Sequence, residues 1–282
     1  MQDPDTSAPT TLADVVVDGV RLRSVVENFV GEVAAPAQGD RGPARWNGPV
    51  CIGVANLRAE VAQAIIDRAS DVARELGLSA GEPGCRANVL IVAAADGRAV
   101  ADGLVGAHRR TFNPGGSGMT RSLRALEAFR ESEAPIRWWH VSGPVDSETG
   151  QLATSLPGED APQIGVSRVS RLRTDIRDDL FKVVIVVDMN KAATLTWAQL
   201  ADYCSLIALA QIDPDADLAA YDTILNAFAD KPVPGLTSWD MDYLHALYGI
   251  EQNRITSRAR SGEIADLMLR GLRVTIDEDD AD

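Results

Sequence analysis

Histidine and cysteine are scarce in this chain of 282 residues, with three of each. His108, His140 and His245 show no H-x-x-x-H spacing, and Cys51, Cys85 and Cys204 form no C-x-x-C pair. A zinc site needs three or four such ligands converging on one ion, so the sequence offers no metal motif and implies no cofactor. The G-x-S-x-G elbow of the α/β hydrolases is also missing. No apolar run approaches the roughly 20 residues that span a bilayer; the strand-like run Val183 to Val187 is far shorter. Positive charge is short too. A formal net charge of −14 argues against nucleic acid, whose phosphates demand a concentrated basic face. Part of that charge lies in the tail Asp277 to Asp282, but the remainder stays acidic. The N-terminus, Met1-Gln2-Asp3-Pro4-Asp5-Thr6-Ser7, lacks the basic and apolar regions of a signal peptide. Two expectations stay open: a cytoplasmic chain, or the mature form of an exported one.

What is present is enough for a full core, since 45% of the residues are hydrophobic. Leu22, Val25, Val26, Phe29, Val30 and Val33 share one helix face. That helix, residues 20–33, and the Ala/Pro/Gly-rich stretch after it read as an N-terminal addition over residues 1–43. A single α/β domain is expected over 44–273, with an acidic disordered tail over 274–282. Within the domain, a strand over Pro49 to Ala55 precedes a helical stripe, Val61, Ile65, Ala69, Val72 and Leu76, ended by Gly77. A second strand follows at Asn88 to Ala94. Strand, helix, strand at this spacing predicts parallel neighbours with a right-handed crossover. Further on, the pattern predicts a helix over 120–130, a strand over 136–142 and a long loop from Ser142 to Val166. Phe181 to Asp188 is apolar on both faces and therefore central. Helices are expected from Thr196 to about Gln211, over 238–247 and over 257–272.

Several residue groups invite a functional reading. Asp213-Pro214-Asp215-Ala216-Asp217 opens like a calcium loop, but Leu218 and Ile224 stand where an EF-hand needs Gly and Glu. A polar turn and a weak calcium loop outside that pattern are the alternatives. Gly115-Gly116-Ser117-Gly118 before a helix suits a connector better than a phosphate cradle, because no Gly-Lys-Ser/Thr follows. His140 lies near Ser142 and Asp146, although nearness in sequence is weak evidence for a triad. Arg168, Arg171, Arg173 and Arg177 form a basic run, read as a solvated face or an anion dock.

Two stretches resemble a known family. Gly235-Leu236-Thr237-Ser238-Trp239-Asp240 through Leu247-Tyr248-Gly249 resembles the final helix of metzincin-type zinc peptidases. Upstream, the strand at Val183 to Asp188 and the helix from Thr196 to Gln211 occupy the place of the metzincin active-site helix. The chain is also similar to uncharacterised exported proteins of Gram-negative bacteria that are distant, degenerate relatives of zincins. The resemblance implies a mixed, mostly parallel sheet with packed helices, a zincin-like core lacking its zinc ligands. In the best register the three ligand positions fall on Asp202, Leu206 and Ile212, and the general-base position on Tyr203. Leu209 replaces the helix-breaking glycine, and Leu225, in Tyr221 to Leu225, replaces the methionine of the turn. Leucine and isoleucine cannot coordinate a metal, and a tyrosine with its ordinary pKa near ~10 is a poor base at neutral pH.

Cys51 opens the first strand of the βαβ unit and Cys85 lies just before the second. Strands about 4.8 Å apart bring such positions within reach of a disulfide, leaving Cys204 as a buried thiol. That pairing favours an oxidising compartment, periplasmic or secreted; three reduced cysteines in a cytoplasmic chain are the alternative. The leading expectation is a non-catalytic extracytoplasmic protein that binds a protein or peptide partner along the former substrate cleft. A hydrolase with an unrecognised site and a structural component of an envelope assembly are the alternatives.

Overall fold

The structure is a computed structural model and describes residues 12–35, 42–115, 121–153, 176–251 and 256–279. Four strands form one sheet in the order β1-β2-β4-β3. β1 (Ile52–Ala55) and β2 (Val89–Ala94) are parallel, joined by helix α2 (Ala59–Glu75), as the spacing predicts. β4 (Ile176–Asp188) pairs parallel with β2, and β3 (Ile136–Asp146) closes the far edge antiparallel to β4. The fold is therefore mixed α/β, with a mostly parallel sheet.

β4 is central for a visible reason. Val183, Ile185 and Val187 point into one core while Val184 and Val186 point into another, and all five are buried. The first core lies under α2, α6 (Trp197–Leu209), α7 (Ser238–Gly249) and α8 (Ser257–Asp279). The second, smaller one lies under α3 (Gly97–Ala107), α4 (Arg109–Phe112) and α5 (Leu123–Glu131). A strand apolar on both faces needs cover on both, so the alternation of β4 fixes the three-layer arrangement.

Three sequence expectations change. α1 (Leu12–Val33) is not an appendage: Val26, Phe29, Val30 and Val33 sit at most 1% exposed in the main core, and Phe29 packs edge-on against Tyr221, Trp239 and Tyr243. β3 and β4 extend four and five residues beyond the expected strands, to Asp146 and from Ile176. Their extra rungs are held by Arg177, which bonds Asp179 and the Ser147 carbonyl, and by a register shift at Val141/Ser142. Only residues 154–166 of the expected long loop, with Arg168, Arg171 and Arg173, lie outside the described residues. α8 runs on through Asp279, into the segment expected to be a disordered tail.

The disulfide forms as expected, joining Cys51 to Cys85. It closes a loop of 34 residues, which the chain-entropy relation converts into roughly 3–4 kcal/mol of stabilisation. Cys204 is a free, fully buried thiol, and burial pushes its pKa up to about 12.

Candidate functional site

α6 starts at a capping box. Thr196 accepts from the Gln199 backbone while the Gln199 side chain returns to the Thr196 N–H, which satisfies two of the donors a helix start leaves open. From Gln199 to Leu209 every residue is buried. The helix thus runs through the interior, and its successive side chains meet three different environments.

Asp202 points toward α2. One carboxylate oxygen pairs with Arg68 Nε and the other accepts from the Leu236 N–H at 2.9 Å. Gly235 lies so close that a Cβ there would come within 2.5 Å of this carboxylate. Asp202 therefore ties α6 to α2 and to the approach of α7. Leu206 is 1% exposed in the main core. Ile212, equally buried, accepts at its carbonyl from Trp138 Nε1 at 3.0 Å. Asp202, Leu206 and Ile212 thus do not converge on one cleft. The donor set does not fit zinc: Asp202 alone carries a ligand atom, and both its oxygens are engaged. Among the described residues no group of three His, Cys, Asp or Glu could hold a metal ion.

Tyr203, one residue on, faces the sheet edge. With Ile212, Trp138, His140, Phe228 and Arg121 it lines a cavity of about 180 Å³ beside β3. Phe129 and Trp139, from the opposite face of the sheet, line it too. The cavity therefore wraps the outer edge of β3, and α5 forms its far wall through Ala125 and Ala128. Burial pushes the Tyr203 phenol well above its ordinary pKa, so it is neutral at pH 7. Burial likewise holds His140 neutral, with a pKa lowered to about 4, although the carbonyls of Ile207 and Ala210 oppose the shift. His140 Nε2 lies 2.8 Å from the Ile207 carbonyl at the C-terminal end of α6.

No triad assembles around His140. Ser142 Oγ accepts from Gln211, and Asp146 accepts from the backbone of Glu148 and Thr149. His245 is exposed beside Glu75, 3.4 Å away. The aspartates of the suspected calcium loop are engaged within the protein: Arg121 bridges Asp213 and Asp215, and Asp217 caps the Ala219 N–H. The crevice where β2 and β4 end, a common ligand position in parallel sheets, is filled internally. Asp188 accepts there from the Gly97 N–H that opens α3, and from Asn190 and Lys191.

The segment resembling the last metzincin helix has a local task. Thr237 caps α7, and Asp240 accepts from both the Thr237 and the Ile224 N–H groups, anchoring the turn Ile224–Asn226 that contains Leu225. Sequence reasoning missed the contributions of Arg121, Phe129 and Phe228 to the cavity. Phe228 lies between Ala227 and Ala229 just after the turn Ile224–Asn226, and no periodicity there marks it as a cavity wall. Compared with known proteins, the chain matches no family model, no curated protein and no solved structure. Among the described residues no helix is long and apolar enough to cross a membrane.

Proposed function

We propose that this is a non-catalytic binding protein of an oxidising, extracytoplasmic compartment, which holds an extended peptide segment of a partner along the outer edge of β3. One observation carries the reading. β3 pairs with β4 on one side only, and among the described residues no hydrogen bond reaches the backbone of residues 136–141 from the other. Along that side runs the cavity lined from both faces of the sheet. Edge strands carry unpaired N–H and C=O groups, and an added strand satisfies them while side-chain pockets select its residues. The neutral Tyr203 and the carbonyl-bound His140 suit recognition better than proton transfer at neutral pH. The Cys51–Cys85 bond favours an oxidising compartment.

Ala128 provides the test, because it lies on the exposed side of α5 and lines the cavity. Ala128→Trp should fill the groove without disturbing a core. Ten-residue peptides selected from a random library on the natural protein should bind the variant at least about tenfold more weakly, a difference near 1.4 kcal/mol. Amide shifts in residues 136–141 should mark the bound edge. Peptides held equally by both proteins would place recognition elsewhere.

A further inference from the structure

Three walls of the β3 cavity are aromatic rings. Tyr203 meets Trp138 edge-on at 6.3 Å and 69°, and meets Phe228 edge-on at 5.8 Å and 72°. A further ring placed among them would continue an arrangement that aromatic groups favour. The volume of about 180 Å³ slightly exceeds the roughly 150 Å³ of an engineered apolar cavity that binds benzene. One six-membered ring with a small substituent matches that space.

The polar groups on the wall narrow the choice. Trp138 Nε1 donates to the Ile212 carbonyl, and Trp139 Nε1 donates to the Phe112 carbonyl. His140 Nε2 meets the Ile207 carbonyl, and Arg121 is held by Asp213 and Asp215. Tyr203 differs: it is only 6% exposed, it lines the cavity, and its hydroxyl has no hydrogen-bond partner among the described residues. That hydroxyl opens onto the cavity, where a ligand hydroxyl can take the place of water as its partner. Arg137 on the same wall donates to the Ser132 and Ala134 carbonyls and lies in the field of Asp188, and Arg121 is held by two carboxylates, so the wall offsets both guanidinium charges. It asks for a neutral ring carrying a hydroxyl.

We propose that the cavity binds a phenol, its ring among Trp138, Tyr203 and Phe228 and its hydroxyl bonded to that of Tyr203. This deepens the peptide-binding reading and rests on it for the source of the ring, a tyrosine side chain of the bound segment. A free phenol has the same chemistry. The probes are p-cresol and toluene, titrated against the tryptophan fluorescence of the full chain. p-Cresol should bind about tenfold more tightly than toluene. That ratio should fall to near one in Tyr203→Phe, which keeps the ring and removes only the hydroxyl. Phe228→Leu, which removes a wall instead, should weaken both probes alike and leave the ratio standing. Equal affinities in the natural protein, or a ratio that survives Tyr203→Phe, would overturn the proposal.

Peptides with Tyr, Phe or Ala at one central position separate the sources. A Tyr preference of about tenfold over Phe places the ring on a peptide. Selective p-cresol binding with no peptide bound keeps the phenol site and removes the peptide reading. Peptides bound without preference for Tyr keep the peptide reading and remove the phenol.

Discussion

His140 shows what a single buried titratable ring does to a sheet protein. Its pKa of about 4 in the folded chain lies below the ordinary 6.5. The unfolded chain therefore binds the proton first as the pH falls. Stability from this residue is complete above pH 6.5 and declines as the pH drops toward 4, by about 3 kcal/mol in all. Urea midpoints measured from pH 7.5 to 4 should fall steeply for the natural protein and less steeply for His140→Gln. Parallel curves would mean that the ring is solvated. Burial acts in the opposite direction on Asp240, whose carboxyl it raises despite donors from Thr223, Ile224 and Thr237, and both proteins share that contribution. The position of His140 on a strand, beside Trp138 and Trp139, was legible in the sequence. Its carbonyl partner, 67 residues away at the end of α6, was not, because a pattern along the chain says nothing about what the next layer presents.

At the scale of elements, caps should matter more than their size suggests. The Thr237 hydroxyl accepts from the Asp240 N–H at 3.0 Å and donates to the Asp222 carbonyl at 2.7 Å. It therefore starts α7 and pins the preceding turn at once. Thr237→Ala should cost about 1–2 kcal/mol and lower the midpoint of a calorimetric scan by roughly 2–6 °C; an unchanged midpoint would show that the turn holds the helix alone. The caps Thr196 and Thr237 and the stripe of α2 could be read in advance, since each depends on residues within four of one another. α3 escaped because Gly97, Gly103 and Gly106 dilute its apolar pattern, while its Asp96 cap is a single signal. The distal ends of β3 and β4 escaped for another reason. The Arg177-Asp178-Asp179 run reads as polar surface, yet Asp178 is fully buried and faces Arg260 of α8 at 3.6 Å. The register drawn from the metzincin resemblance shows the limit of local likeness: both segments are helical, while Asp202 turns away from the face where Tyr203 and Ile212 meet.

For the whole molecule, the covalent staple and the packing of α1 on α8 set the terms. Unfolding the unreduced protein in the presence of an alkylating agent should modify one cysteine, Cys204, whereas modification of three would contradict the Cys51–Cys85 bond. Replacing both bonded cysteines by alanine should cost roughly 3–4 kcal/mol, visible as a lower urea midpoint. The pairing of α1 with α8 has a consequence in time. Phe29 lies at most 1% exposed beside α7, Arg23 meets Asp266 at 2.7 Å, and the sheet reaches α8 through the Asp178–Arg260 pair. During synthesis the first helix therefore emerges more than two hundred residues before its partner, its apolar face still unmatched. Contacts so distant along the chain form late, so a nascent chain halted before Ser257 should remain protease-sensitive throughout. Whatever machinery handles this polypeptide meets it open, and α8 closes the fold only once Ser257–Asp279 has been made.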